Sequence, residues 1–197
     1  MPQGTLNRRE VAQTLLRERG DWLVVACLGA TAWDVASVGD EPLDFPLWGA
    51  MGGAAMLGLG LALAQPTRTV LVLTGDGEML MGMGSLSTIA AQRPRNLRSV
   101  VIDNDCYGET GRQPTHTSLT TDLAAVARAC GFPHAYTVRE MEEVAALRDD
   151  IHGRDDLMLA VVKVAMTDDP MVLPPRDGAY LKHRMRSAIL GPDAVRE

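Results

Sequence analysis

Asp76 and Asn104 are the two residues whose types and spacing carry the most chemistry. Asp76 sits in Gly75-Asp76-Gly77, directly after the apolar run Val70-Leu71-Val72-Leu73, and Asn104 sits in Asp103-Asn104-Asp105-Cys106-Tyr107, directly after Val100-Val101-Ile102. Between them, apolar residues at 79, 80, 83, 86 and 90 give helical spacing. A strand–helix–strand unit of this length brings an acid and an amide to the same edge of a parallel sheet. Carboxylate and amide oxygens converging there suit a hard cation such as Mg²⁺, which shares its shell with phosphate and water. The backbone carbonyl of Cys106 would add a third oxygen as the chain turns. Gly75 and Gly77 would let backbone N–H groups approach a phosphate, and the helix beginning near Met79 would aim its positive end at the same place. Gly-Asp-Gly after a strand also reads as an ordinary turn. A dinucleotide fingerprint fits less well, because Leu80 stands where its third glycine belongs.

The elements that must position this pair follow from periodicity and punctuation. Helices are expected at 6–19 (ended by Gly20), 31–38, 51–64 (stopped by Pro66), 79–91, 122–130 (stopped by Gly131 and Pro133), 140–151 and 178–190. Strands are expected at 22–27, 69–74, 98–104, 134–138 and 157–164, with loops at 40–46 and 107–118. The alternation predicts an α/β fold, a doubly wound parallel sheet with helices on both faces. Ligands of such sheets bind beyond the carboxyl ends of the strands, where both Asp76 and Asn104 fall. One domain is expected over residues 1–197, with its core at about 21–164 and a tail at 170–197.

Bulk properties agree. A chain of 197 residues suits one sizeable core, and a net charge of −6 with no Lys/Arg run argues against a nucleic-acid surface. Cys27, Cys106 and Cys130 are odd in number and lack CxxC spacing, which disfavours a disulfide framework or zinc site and suits a reducing cytoplasm. The start, Met-Pro-Gln-Gly, has no basic-then-apolar pattern of a signal peptide. The most apolar stretch, 48–64, is interrupted by Gly49, Gly52, Gly53, Gly58 and Gly60, so no membrane helix is expected.

Gly75-Asp76-Gly77, then 26 residues, then Asn104 resembles the diphosphate-binding motif of thiamine diphosphate enzymes. The family carries a paired Asn at the end of that motif; here the pair is Asp103-Asn104, with the metal-binding second position kept. Trp48-Gly49-Ala50-Met51-Gly52 resembles the family segment that grips the aminopyrimidine. The resemblance implies that the Gly49 carbonyl accepts from the cofactor's amino group and that Met51 wedges between its two rings, where plain core packing is the alternative for a methionine. It further implies cofactor contacts from Trp48, Gly75, Asp76, Gly77, Glu78, Asn104, Cys106, Tyr107 and Gly108, with Asp76, Asn104 and Cys106 as the Mg²⁺ ligands.

The resemblance spans roughly residues 21–164 and is to the diphosphate-binding domain only. It points to the β subunit of sulfopyruvate decarboxylase and the C-terminal half of phosphonopyruvate decarboxylase, through the segment 103–115 and the tail Pro174-Pro175-Arg176-Asp177-Gly178. The implied activity is decarboxylation of a small anionic 2-oxo acid, 3-sulfopyruvate or 3-phosphonopyruvate, by a hetero-oligomer whose other subunit carries the pyrimidine domain and its catalytic glutamate. The all-apolar helix at 51–64 is the candidate contact with that partner. Many related decarboxylases carry a glutamate at the place of Thr110. Thr110, Arg112 and His116, in the loop beyond the metal residues, are the catalytic or substrate-binding candidates. A carboligase half and a non-catalytic phosphate-binding module remain as alternatives.

Overall fold

A computed structural model describes residues 4–195. Met1, Pro2 and Gln3, on which the signal-peptide reading partly rests, and the last two residues of the expected tail lie outside the described residues. Six parallel strands form one sheet: β1 (Leu23–Ala26), β2 (Asp44–Pro46), β3 (Val70–Gly75), β4 (Leu97–Asp103), β7 (His134–Val138) and β8 (Met158–Lys163), in the order β2-β1-β3-β4-β8-β7. A two-stranded antiparallel ribbon, β5 (Cys106–Tyr107) with β6 (Gln113–Pro114), follows β4. Alternate residues of each strand feed opposite cores. Leu23, Val25, Val70, Val72 and Leu159 pack beneath α3 (Ala54–Ala64), α5 (Ser85–Gln92) and α6 (Leu123–Cys130). Val24, Leu71, Leu73, Val100 and Ala160 pack beneath α1 (Arg8–Leu16), α2 (Ala30–Val38) and α7 (Met141–Gly153). The doubly wound α/β sheet with helices on both faces is therefore the fold. Among the described residues no helix is long and apolar enough to cross a membrane.

Four expected boundaries need correction. The stretch 40–46 is not all loop, because 44–46 adds β2 at the sheet edge beside β1. Its Pro46 lacks an N–H, which an edge strand tolerates. The C-terminal helix α8 (Gly178–Leu190) meets this strand, with Arg184 donating to the Asp44 carbonyl at 3.1 Å. The loop 107–118 contains most of the β5–β6 ribbon and a 3₁₀ turn, His116–Ser118.

The helix expected at 51–64 begins only at Ala54, because Ala50 (φ 55) and Gly52 (φ 92) put the chain in a left-handed turn. The single helix expected at 79–91 is two, α4 (Asp76–Met81) and α5, broken around Gly82. The two departures share a cause. The Gly52 and Gly82 backbones touch, and a Cβ on Gly82 would run into the Gly52 carbonyl. The helix breaks where the Met51 turn leans on it.

α3 packs on β3 through Gly58, where an added Cβ would enter the van der Waals shell of Val72 Cγ2, whereas Gly60 faces open space. Gly58→Ala should lower stability by about 1–3 kcal/mol through overpacking despite better helix propensity. Gly60→Ala should raise it by about 0.5–1 kcal/mol. Urea denaturation of both variants checks this; equal shifts of one sign would refute the packing assignment.

Candidate active site

The sheet's winding reverses between β1 and β3: β1 leads outward to β2, β3 the other way to β4. Connections therefore part at this point and leave a crevice beyond the carboxyl ends of the strands. A cleft of about 430 Å³ occupies it, walled by Cys27 and Leu28 after β1, Gly75 to Glu78 after β3, and Asn104 to Thr110 after β4. α2 opens onto it with Gly29 (φ 78) at its N-cap and no capping side chain, so its first backbone N–H groups are not taken by a cap. A slightly larger cavity, about 490 Å³, lies at the opposite edge by Trp22 and Asp44. Its buried acid is already held by Arg19 at 2.5 and 3.0 Å, so the switch-point cleft is the one with free chemistry.

Asp76 is the first residue of α4 and is 3 % exposed. Its Oδ2 accepts from the hydroxyls of Thr115 (2.5 Å) and Thr117 (3.2 Å), which themselves stand 2.8 Å apart. Thr117 also reaches Asp103 Oδ1 at 2.9 Å. Burial first, and then the charge of Asp103, push the Asp76 carboxyl from its ordinary 3.8 up to about 6. Asp103 is held at 2.9 Å by Lys163, which also binds Asp105 at 2.6 Å. Burial alone would lower the Lys163 ammonium, but its hydrogen bonds to Asp105 and Asp103 raise it. Three acids and one ammonium leave the cluster two positive charges short, which matches the charge of a divalent cation.

Asn104 Oδ1 accepts the Cys106 N–H at 3.1 Å and Nδ2 points at Met166 Sδ, 3.4 Å away, so the turn fixes the amide while its oxygen keeps a second lone pair. Among the described residues no three His, Cys, Asp or Glu gather into a metal cage. A cation here would draw on the Asp76 carboxylate, the Asn104 amide, a backbone carbonyl and ligand oxygens, which is how Mg²⁺ is commonly held.

Most residues read from the sequence meet at this cleft: Met51, Gly75, Asp76, Gly77, Glu78, Asn104, Cys106, Tyr107, Gly108 and Thr110 all line it. Gly77 has the Tyr107 ring where its Cβ would be, at 2.6–2.7 Å, so only glycine lets the two loops close. Four residues stand elsewhere. Trp48 and Gly49 do not line the cleft; Trp48 Nε1 donates to the Pro175 carbonyl at 2.7 Å and its ring carries Arg176 at 4.7 Å. Arg112 is exposed and ion-paired with Asp168. His116 is exposed at the start of the 3₁₀ turn, its carbonyl accepting from Leu119, Thr120 and Thr121. Glu78 faces the cleft with both oxygens engaged, one by the Ala54 N–H at 3.0 Å and the other by Thr74 at 3.1 Å. Its place is at the head of α3.

Sequence reading missed several groups. Thr115 and Thr117 were passed over within a polar loop, and Lys163 at the end of an apolar strand. Lys163 had a signal, since a lone lysine closing a buried strand requires a partner acid. Arg8 and Asp34 also line the cleft, 3.6 Å apart and both buried. Burial outweighs Arg8 and Arg9 and lifts Asp34 to about 6. Glu109 reaches the cleft against Gly29 and has no hydrogen-bond or ion-pair partner among the described residues.

The linkage of Asp76 has a definite sign. Its folded value lies above its unfolded one, so its ionisation costs stability as pH rises from about 4 to 6. Without divalent cation, Asp76→Asn should gain thermal stability over the parent chain, with the gap smallest near pH 4 and widest above pH 6. Each kcal/mol should appear as about 2–4 °C. Mg²⁺ should raise the melting temperature of the parent only. A pH-independent gap in calorimetry would contradict the assignment.

Comparison with known proteins gives the following. Residues 25–162 match the family model "Thiamine pyrophosphate enzyme, C-terminal TPP binding domain". Sulfopyruvate decarboxylase subunit beta of Methanocaldococcus jannaschii is 41% identical over 85% of this chain and 88% of its own. Phosphonopyruvate decarboxylase of Streptomyces hygroscopicus is 40% identical over 79% of this chain but only 36% of its own. The crystal structure of benzoylformate decarboxylase from Polynucleobacter necessarius superposes with a TM-score of 0.68 at 18% identity, over 85% of this chain and 34% of that one, a likeness of fold.

Proposed function

This chain belongs to the thiamine pyrophosphate enzymes through their C-terminal TPP-binding domain, and from that premise we propose that it is the diphosphate-binding subunit of a decarboxylase for 3-sulfopyruvate or 3-phosphonopyruvate. The observation that carries the reading is the convergence of Asp76, Asn104 and Met51 on one cleft at the switch point of the sheet. Asp76, Asn104 and the Cys106 carbonyl would hold Mg²⁺, and the uncapped start of α2 with Gly75 and Gly77 would face the diphosphate. When bound, thiamine diphosphate supplies an electron sink for the pair left behind by departing carbon dioxide.

The remaining residues bind and orient. Met51, between the left-handed Ala50 and Gly52, would support the cofactor at the rim. Tyr107 and Gly108 close the wall opposite Gly77. Thr110 and Glu109 both lie at the cleft, where their side chains would meet a bound ligand. Arg8 is tied to Asp34 and Asp169, so the distal sulfonate or phosphonate needs a different cation. Arg112 fits, because its exposed pair with Asp168 is worth only about 0–1 kcal/mol and yields readily to a competing anion. His116 is a second candidate on the same loop.

The chain spans 88% of the matched β subunit, yet only about a third of the matched single-chain decarboxylase. We assign the pyrimidine domain, with its glutamate, to a partner subunit. Met56 and Leu63 on α3, with Met81 at the end of α4 and Met83 in the break after it, are exposed apolar side chains suited to that contact. The three free cysteines suit a cytoplasmic location.

The purified chain should bind Mg²⁺–thiamine diphosphate weakly and show no turnover, and co-purification with the pyrimidine-domain subunit should restore carbon dioxide release from 3-sulfopyruvate or 3-phosphonopyruvate with an aldehyde as product. Robust turnover by the single chain, or an adduct with an added acceptor aldehyde, would overturn the respective part. In the reconstituted enzyme, Arg112→Ala should raise KM for the acid about tenfold or more with kcat little changed. An unchanged KM removes Arg112 from substrate binding.

A further inference from the structure

Asn104 stands between two acids gripped by the same side chain. Lys163, the last residue of β8, is 2 % exposed; its Nζ lies 2.9 Å from Asp103 Oδ2 and 2.6 Å from Asp105 Oδ1. Asp103 and Lys163 are register partners across β4 and β8, so the grip starts from a rigid ladder. The segment it grips is not at ease. Asp105 has φ 65, a left-handed conformation that costs a non-glycine residue about 1 kcal/mol or more. Two short backbone contacts accompany the turn, Asp105 N–H to Asp103 Oδ1 and Cys106 N–H to Asn104 Oδ1, both 3.1 Å. The same Asp103 Oδ1 takes Thr117, whose neighbour Thr115 holds Asp76.

Resting on the reading of Asp76 and Asn104 as cation ligands, we propose that Lys163 is a positioning residue for the cation site: it clamps Asp103 and Asp105 and so holds the strained turn that presents Asn104 and the Cys106 carbonyl. Electrostatics alone and positioning predict opposite signs. An ammonium near a cation site repels the cation, so if Lys163 acted only through its charge, its removal would tighten cation binding. If it holds the turn, its removal loosens binding.

The test is titration of the full chain with Mn²⁺ in the presence of thiamine diphosphate, followed by electron paramagnetic resonance of free Mn²⁺, with melting temperatures recorded alongside. Lys163→Met should weaken Mn²⁺ binding about tenfold or more, and Lys163→Arg should stay within about threefold of the parent. Asp105→Gly, which removes the cost of φ 65, should bind within about threefold of the parent. Lys163→Met combined with Asp105→Gly restores the parent net charge and removes the strain, and should bind within about threefold of Asp105→Gly alone. Should Lys163→Met fail to fold, this last pair decides by itself: matched binding supports the clamp and a large loss overturns it. Equal or tighter binding by a folded Lys163→Met also overturns it. If the parent chain takes up no Mn²⁺ at all, the cation-site reading fails, not the clamp alone.

Discussion

The organising constraint is a carboxylate kept from water where two strands end. Asp76 begins α4 at the carboxyl end of β3 with 3 % of its surface exposed, and a second acid, Asp103, closes β4 alongside. Like charges in a low dielectric are tolerated only when something answers them. Two threonine hydroxyls answer Asp76 and the Lys163 ammonium answers Asp103, yet the balance stays negative. That residual negative charge is what a divalent cation would offset. A buried, shifted carboxylate facing a cleft is a candidate functional group.

Around that cluster the walls are set by backbones that touch. Gly52 meets Gly82 and Gly77 meets the Tyr107 ring, so the turn carrying Met51 and the loop after β4 close on α4 from two sides. A side chain at either glycine would prop the cleft open. The broken helix between β3 and β4 is the cost of this approach: the backbone leaves helical geometry where another segment must come within van der Waals contact.

The fold was legible because the central strands are dense apolar runs and most helices have one wet face; those patterns decide a doubly wound sheet without knowledge of any contact. Asp76 and Asn104 were legible because a ligand at a strand's carboxyl end needs glycine and oxygen in short order, and the Met51 segment through its likeness to the family segment. What stayed hidden depends on pairing between distant segments. Nothing near Asp44 says that it lies beside Val24, or that Gly82 meets Gly52. Thr115 and Thr117 look like any polar loop residues until the loop folds back onto Asp76. Counting along the chain puts Arg112 and His116 just past the loop after β4, but does not say that Arg112 pairs with Asp168 or that His116 sits exposed at the start of a 3₁₀ turn.

The segment after β8 explains why one side of the cleft is finished and the other is bare. Leaving the sheet, it places Met166 against Asn104 and Cys106, Asp168 on Arg112, Asp169 on Arg8, the Pro170 carbonyl on Arg9, and Pro175 with Arg176 around Trp48. It thus ties α1, the loop after β4 and the approach to the Met51 turn into one rim, using side chains that have no other reason to converge. Among the described residues Met56, Leu63 and Met81 stay 42%, 52% and 63% exposed. The chain's own tail covers the rim by the loop after β4 and leaves the exposed methionines of the α3 side bare. That asymmetry fits the proposed partner surface, since contact there would cover the exposed methionines, of which Met81 also lines the cleft.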